Sequence, residues 1–385
     1  MRLLLTTDTV GGVWDYSVTL ARALERDGHA LLLAVVGDPS DDQLDQLPEE
    51  IAIECRDDRL EWLLASRREL GRTAGWLARL ARGWGAEVVH LNQMAYSGLG
   101  AFGAPTIVVV HSDAASWFSE VLHAPPPIEW SEYLDVVRTG LHAADYVVAP
   151  SVYQGDLVLR HFGRRADAII HNGVEPPETD PTPRTQPLLL SAGRAWDEAK
   201  GMAVFDRAVA ILGEAAPPAH LLGSLKGPHG PNFRSTALEC HGRVSSAEAE
   251  MWMSRATIYV GPSLYEPFGL SPLEAALRGC ALVLSDIGSF RELWDGCAAF
   301  FTKGSAPSLA HTLQELVGDP GMTTALGQAA RQRALSRFTA DRFAGEYLEL
   351  YEAAAAPDRP LRVRSSAALL PGPIGRKLDQ ENQCS

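Results

Sequence analysis

Glu266 and Glu274 stand eight positions apart in the segment Gly261–Gly279, GPSLYEPFGLSPLEAALRG. Glu266 falls in a loop shaped by Pro267 and Gly269. Glu274 falls one turn into a helix expected to begin near Ser271, where Ser271 as N-cap, Pro272 at N1 and Glu274 at N3 read as a capping box. Two carboxylates so placed can accept the hydroxyl protons of one ligand from two sides. The same residues also fit a plain helix cap and a solvated loop acid, and the local sequence leaves both readings open. The first N–H groups of such a helix suit phosphate or sugar oxygens. Arg194 and Lys200 follow another strand, with Asp197 and Glu198 between them as partners for an ordinary surface ion pair. Gly11-Gly12 makes a turn that permits close backbone approach.

These loops need a scaffold, and the apolar pattern supplies one. Arg2–Thr6 reads as a buried strand and Asp15–Arg26 as an amphipathic helix stopped at Gly28. Further strands are expected at Ala30–Val36, Glu87–Leu91, Thr106–Val110 and Tyr146–Ala149. Near-continuous apolar strands between helices indicate an α/β chain with parallel sheets covered on both faces. The stretch 176–187 holds five prolines in twelve positions, which excludes helix and central strand and marks a linker. The rhythm restarts with strands at Leu188–Ala192, His220–Leu222, Ile258–Gly261 and Ala281–Ser285. The expected organisation is a first domain over 1–178, a linker over 179–187 and a second domain over 188–336. A helix over 337–356 is expected to pack back toward the first domain, and 357–385 reads as a flexible tail. Two doubly wound units create a cleft, and ligands of such sheets bind outside the carboxyl ends of the strands.

Composition narrows the function. The 34 basic residues are outnumbered by 48 acidic ones, giving a net charge of −14, which argues against a general nucleic-acid binder. Five scattered cysteines without a CxxC argue against a disulfide framework or a zinc site and suit a reducing compartment. No apolar run approaches a membrane span, and the N-terminus reads as a strand rather than a signal peptide, so a cytoplasmic location is expected. Gly98–Gly103 matches GxGxxG, but it leads into Pro105 and a strand rather than opening a helix after the first strand, which disfavours a dinucleotide enzyme.

The pattern S-x-x-E-P-F-G-L-x-P-L-E-A over Ser263–Ala275, with its E-x7-E spacing, resembles the signature of the GT-B glycosyltransferases, specifically the large retaining group 1 or family 4. The resemblance extends over most of residues 1–350. It implies two Rossmann-like domains facing a cleft and transfer of a sugar from a nucleotide donor to an acceptor hydroxyl with retention. Catalytic roles fall to Glu266, His111, Arg194 and Lys200. In such enzymes the Arg and Lys clamp the donor diphosphate, and a dianionic leaving group does need cations as its bond breaks. Here they are six positions apart where the family's usual spacing is five, with the extra residue within Ala195–Ala199. Donor contacts would also come from Gly11, Gly12, Arg243, Val244, Phe268, Gly269, Leu270 and Glu274. Glu266 would hold the sugar hydroxyls, Glu274 the ribose diol, and the main chain near Val244 the base. His111, at a strand end, would donate to a sugar hydroxyl and influence developing charge.

Trp14, Tyr16, Asn92, Tyr96 and Trp117 follow strand ends and are candidates for the acceptor side. No cofactor or metal is expected, and the chain contains no D-x-D motif. The expected partners are a nucleotide sugar, with UDP-hexose the commonest in the family, and a glycan, lipid-linked or small-molecule acceptor. A nucleotide-sugar epimerase or phosphorylase of the same fold and a non-catalytic nucleotide-sugar binder are the alternatives. Residues 59–82 carry six Arg against two Glu with Trp62 and Trp76. They read as an amphipathic helix packed on the sheet with a solvated Arg face, peripheral membrane contact being the other reading.

Overall fold

The computed structural model describes residues 1–356 apart from 183, 185 and 228–231; the tail expected over 357–385 lies outside the described residues. Among the described residues thirteen strands form two sheets. The first holds β1 (Arg2–Asp8), β2 (Ala30–Val36), β3 (Ala52–Arg56), β4 (Val88–Leu91), β5 (Thr106–Val109), β6 (Tyr146–Ala149) and β7 (Ala168–Ile169). The second holds β8 (Leu189–Ala192), β9 (Ala219–Leu222), β10 (Glu239–Gly242), β11 (Ile258–Gly261), β12 (Ala281–Ser285) and β13 (Ala299–Phe301). The orders are β3-β2-β1-β4-β5-β6-β7 and β10-β9-β8-β11-β12-β13, with every pairing parallel. Strand order reverses between β1 and β4 and again between β8 and β11. Those two switch points are where crevices open at the strand carboxyl ends. Gly11 follows β1, Asn92 follows β4, Arg194 follows β8 and Pro262 follows β11, so the fold aims four candidate loops at two crevices.

Strands such as Leu3–Leu5 and Leu31–Val36 are buried along their whole length, as sheets covered by helices on both faces require. The helix Gly12–Arg26 lays Val18, Leu20, Ala21 and Leu24 on the first sheet. The helix Ala340–Ala355 crosses back to it and buries Phe343, Tyr347, Leu350 and Tyr351 in the same core cluster. Just before it, Val174 and Thr339 form a β-bridge.

Residues 59–82 do not form one helix. A short turn over Glu61–Leu63 ends at Leu64 in the left-handed region, and a new helix starts at Arg67. Ser66 accepts from the Glu69 N–H while the Glu69 carboxylate accepts from the Ser66 N–H, a capping box that restarts the backbone. Trp62 and Trp76 pack against the first domain's core, whereas Arg67, Arg68, Arg72, Arg79 and Arg82 are exposed. Among the described residues no helix is long and apolar enough to cross a membrane.

Candidate active site

Gly11 caps the helix Gly12–Arg26 with φ of 68°, a conformation that favours glycine. A Cβ on Gly11 would lie 3.3 Å from Arg194 Nη1, and one on Gly12 would lie 3.3 Å from Leu270 Cδ1. The glycine turn of one domain thus meets the cation and the helix start of the other. Arg194 donates to Asp197 Oδ2 at 2.9 Å and lies over the Trp196 ring. Asp197 also accepts from Trp117 Nε1 at 3.1 Å and from the Ala199 N–H. Burial works to raise the Asp197 pKa, but Arg194, Lys200 and these hydrogen bonds outweigh it, and the carboxyl stays below its ordinary range.

Lys200 turns the other way. Its Nζ lies 2.5 Å from Glu266 Oε2, with both side chains largely buried. The long Arg194–Lys200 interval is taken up by a 3-10 turn over Glu198–Lys200, capped by Asp197. Main-chain pairing of the Leu264 N–H with the Ala199 carbonyl, 2.7 Å, ties the Lys200 and Glu266 loops together.

The capping box expected at Ser271 is absent. Gly269, at φ of 93°, caps a helix that runs Leu270–Leu277 and starts one residue earlier, so Ser271 already lies inside the helix. The two readings weighed for Glu274 separate here, because its side chain does not close the helix end. Burial, with Asp15 adding to it and Arg278 opposing it, pushes the Glu274 carboxyl up to about 8. Asp15 belongs to the first domain. Its side chain is exposed to solvent, yet the protein packed around it pushes its carboxyl up to about 6 against the pull of Arg243. Arg243 is exposed on the turn after β10 and Val244 packs partly against the second domain's core. Phe268 is buried there too, against Phe338.

A family model described as Glycosyltransferase Family 4 matches residues 10–177, and one described as Glycosyl transferases group 1 matches residues 186–319. The chain belongs to the group 1 glycosyltransferases. Alpha-maltose-1-phosphate synthase of Mycolicibacterium smegmatis is 27% identical over 314 residues, 69% of this chain and 79% of the relative. Among solved structures, sucrose-phosphate synthase of Thermosynechococcus elongatus aligns with a TM-score of 0.74 at 19% identity, covering 93% of this chain and all of that one. Anabaena Alr3699/HepE in complex with UDP-glucose aligns at 0.72 and 18% identity, covering 92% of this chain and all of that one. The fold is GT-B, and the glycosyltransferase takes its sugar from a nucleotide sugar.

On the acceptor side the structure corrects most of the aromatic candidates of this glycosyltransferase. Trp14, Tyr16 and Tyr96 are core side chains, each at most 2% exposed. Strand-end position alone misplaced them, since the helix Ala340–Ala355 covers Tyr16 and the first domain's core encloses Tyr96. Trp117 sits at the domain junction, bonded to Asp197.

Asn92 is buried and bonded to His111. Its Nδ2 donates to the Thr6 carbonyl at 2.6 Å and to Ser17 Oγ at 3.0 Å, which fixes Oδ1 as the acceptor for His111 Nε2–H at 2.8 Å and His90 Nε2–H at 3.1 Å. Burial, with His90 beside it, lowers the His111 pKa to about 3, so the imidazole is neutral and its Nδ1 keeps a lone pair. The sequence reading made His111 a donor to sugar hydroxyls; from Nδ1 this tautomer accepts instead. His90 and Tyr351, whose hydroxyl meets His90 Nδ1 at 2.7 Å, complete the chain and had no sequence signal. Asp8 was also missed. It ends β1 beneath the glycine turn, where burial raises its carboxyl to about 6 against the Val10 N–H, Gln93 and Arg194.

Proposed function

We propose that this glycosyltransferase retains anomeric configuration, needs no metal for the transfer, and moves a hexose from a UDP-hexose to the hydroxyl of a carbohydrate acceptor. The observation that carries the reading is the convergence at the β8–β11 crevice: Arg194 beside Gly11 of the opposite domain, and Lys200 2.5 Å from Glu266. Two side-chain cations at one crevice supply the charge that a departing diphosphate demands, and the chain has no D-x-D to hold a divalent ion there. Glu266 holds hydroxyls of the sugar, Glu274 the ribose diol, and the N–H groups at Phe268–Leu270 the phosphate or sugar oxygens. The leaving phosphate oxygen takes the acceptor proton, so the reaction asks no side chain for a covalent bond.

UDP-hexose as donor is supported by the UDP-glucose complex of the HepE structure, and a carbohydrate acceptor by a relative named for maltose 1-phosphate. Domain closure at Gly11 and Gly12 would exclude water from the donor. A cytoplasmic setting is supported by Cys55, Cys240, Cys280 and Cys297, all free thiols. The test is incubation of chelator-treated enzyme with UDP-glucose and a panel of sugar and sugar-phosphate acceptors, with the product's anomeric configuration read by proton NMR. An α-linked product supports the reading. A β-linked product overturns retention, and activity restored only by added divalent ion overturns metal independence.

A further inference from the structure

In the second domain's sheet, the edge strand β10 and its neighbour β9 bring two imidazoles and a carboxylate together. His220 Nδ1 and His241 Nε2 are 3.0 Å apart. Glu239 presents Oε2 3.6 Å from the first and Oε1 3.8 Å from the second. Register explains the meeting: Glu239 pairs with His220, and the shift between Cys240 and Gly242 leaves His241 without a partner of its own on β9. Both rings rest on Trp252, at 4.4 and 4.5 Å between centroids, and Arg255 lies over that same indole. The rings are therefore positioned by packing, while Glu239, 69% exposed, leaves one side open to water.

Ligands about 2.0–2.1 Å from a tetrahedral ion stand about 3.3 Å from one another. The observed separations of 3.0, 3.6 and 3.8 Å bracket that edge. Two imidazoles and a carboxylate suit zinc and its neighbours rather than magnesium or calcium. We propose that His220, Glu239 and His241 form a site for one zinc-class divalent ion, separate from the transfer chemistry, that pins β10 to β9. Both coordinating nitrogens offer lone pairs when the ring protons sit on His220 Nε2 and His241 Nδ1, so binding to the neutral rings requires only a change of tautomer. The ion also anchors the turn Gly242–Val244, which leaves β10 toward the cleft.

The full-length protein, stripped with chelator, is titrated with Co²⁺ and then Zn²⁺. One equivalent of Co²⁺ is expected, giving the visible bands of a tetrahedral site without thiolate charge transfer. Zn²⁺ should displace it and raise the melting temperature. Glu239→Gln and His241→Asn should each weaken binding by more than about tenfold, since even changes outside the ligand shell cost that much. Glu239 is exposed, so Glu239→Gln should melt like the parent without metal. His311→Ala, at an exposed histidine beside Glu315, should leave the titration unchanged. No tetrahedral cobalt spectrum in the parent, or a parent-like titration in both site variants, overturns the proposal. UDP-induced stabilisation of the stripped protein reports separately on the donor site.

Discussion

Lys200 Nζ and Glu266 Oε2 lie 2.5 Å apart, so the cation assigned to the diphosphate and the acid assigned to the sugar hydroxyls form one neutral pair. Removing either leaves its partner largely buried and uncompensated. Lys200→Met and Glu266→Gln should each lower kcat/KM by about 10²- to 10³-fold, the usual cost of one transition-state charge contact. The double variant should lose less than the product of the two losses, because the residues act as a unit. Single and double variants compared in a UDP-release assay decide it. Multiplicative losses would show that the two residues work apart.

Glu274 gives the molecule a pH dependence of definite sign. Its carboxyl titrates near 8 in the folded protein and near 4.5 in the unfolded chain. Between those values the folded state binds more protons, so stability falls as pH rises. Asp8 and Asp15 near 6, and Glu61 near 7, act in the same direction. The melting temperature should decline from about pH 6.5 to pH 8, above the range in which His90 and His111, held near 3 by burial, contribute the opposite slope, and Glu274→Gln should flatten the decline. Parallel melting curves for parent and variant would remove Glu274 from the account.

Much of this molecule was legible because its strands are continuous apolar runs. Ala30–Val36, Tyr146–Ala149 and Ala281–Ser285 coincide with strands of the structure. The four edge strands β3, β7, β10 and β13 escaped notice: β3 and β10 carry polar residues and half-exposed faces, and β7 and β13 are only two and three residues long. At the site, E-x7-E was visible as a motif, but its partners were not. Nothing in the spacing says that Lys200 turns to Glu266 while Arg194 turns to Asp197, since loop conformation decides which side chains meet. Tyr16 and Tyr96 show the opposite limit. An aromatic after a strand end reads the same whether it lines a crevice or fills a core, and only the returning C-terminal helix settles it for Tyr16.

Asn92 holds His111 in one tautomer through a 2.8 Å bond. Burial holds the pKa values of His111 and His90 near 3, so neither ring gains a proton between pH 5 and 8. Asn92→Asp places a carboxylate against both rings and should draw their pKa values upward toward the ordinary range near 6.5. The variant's pH–rate profile should gain an acid limb near neutrality that the parent lacks. An unchanged profile would show that protonation of His111 does not matter to turnover.

Glu292 joins the domains at a helix start. Its carboxylate accepts from the Val152 and Tyr153 N–H groups at 2.8 and 3.0 Å and lies 3.1 Å from His171 Nε2. One domain thereby caps a helix of the other. The adjoining Ser151 hydroxyl donates to the Pro267 carbonyl at 2.6 Å, immediately beside Glu266. Glu292→Ala leaves first-turn N–H groups without their acceptor and should cost about 0.5–2 kcal/mol, the range for losing a helix cap, read as a lower melting temperature. Because the clamp also steadies the loop carrying Glu266, the milder Glu292→Gln should raise the donor KM in an enzyme that still folds. If Glu292→Gln lowered stability and left donor KM unchanged, Glu292 would be a structural cap alone, and the placement of Glu266 would have to come from the Lys200 pair and the Leu264–Ala199 main-chain bond.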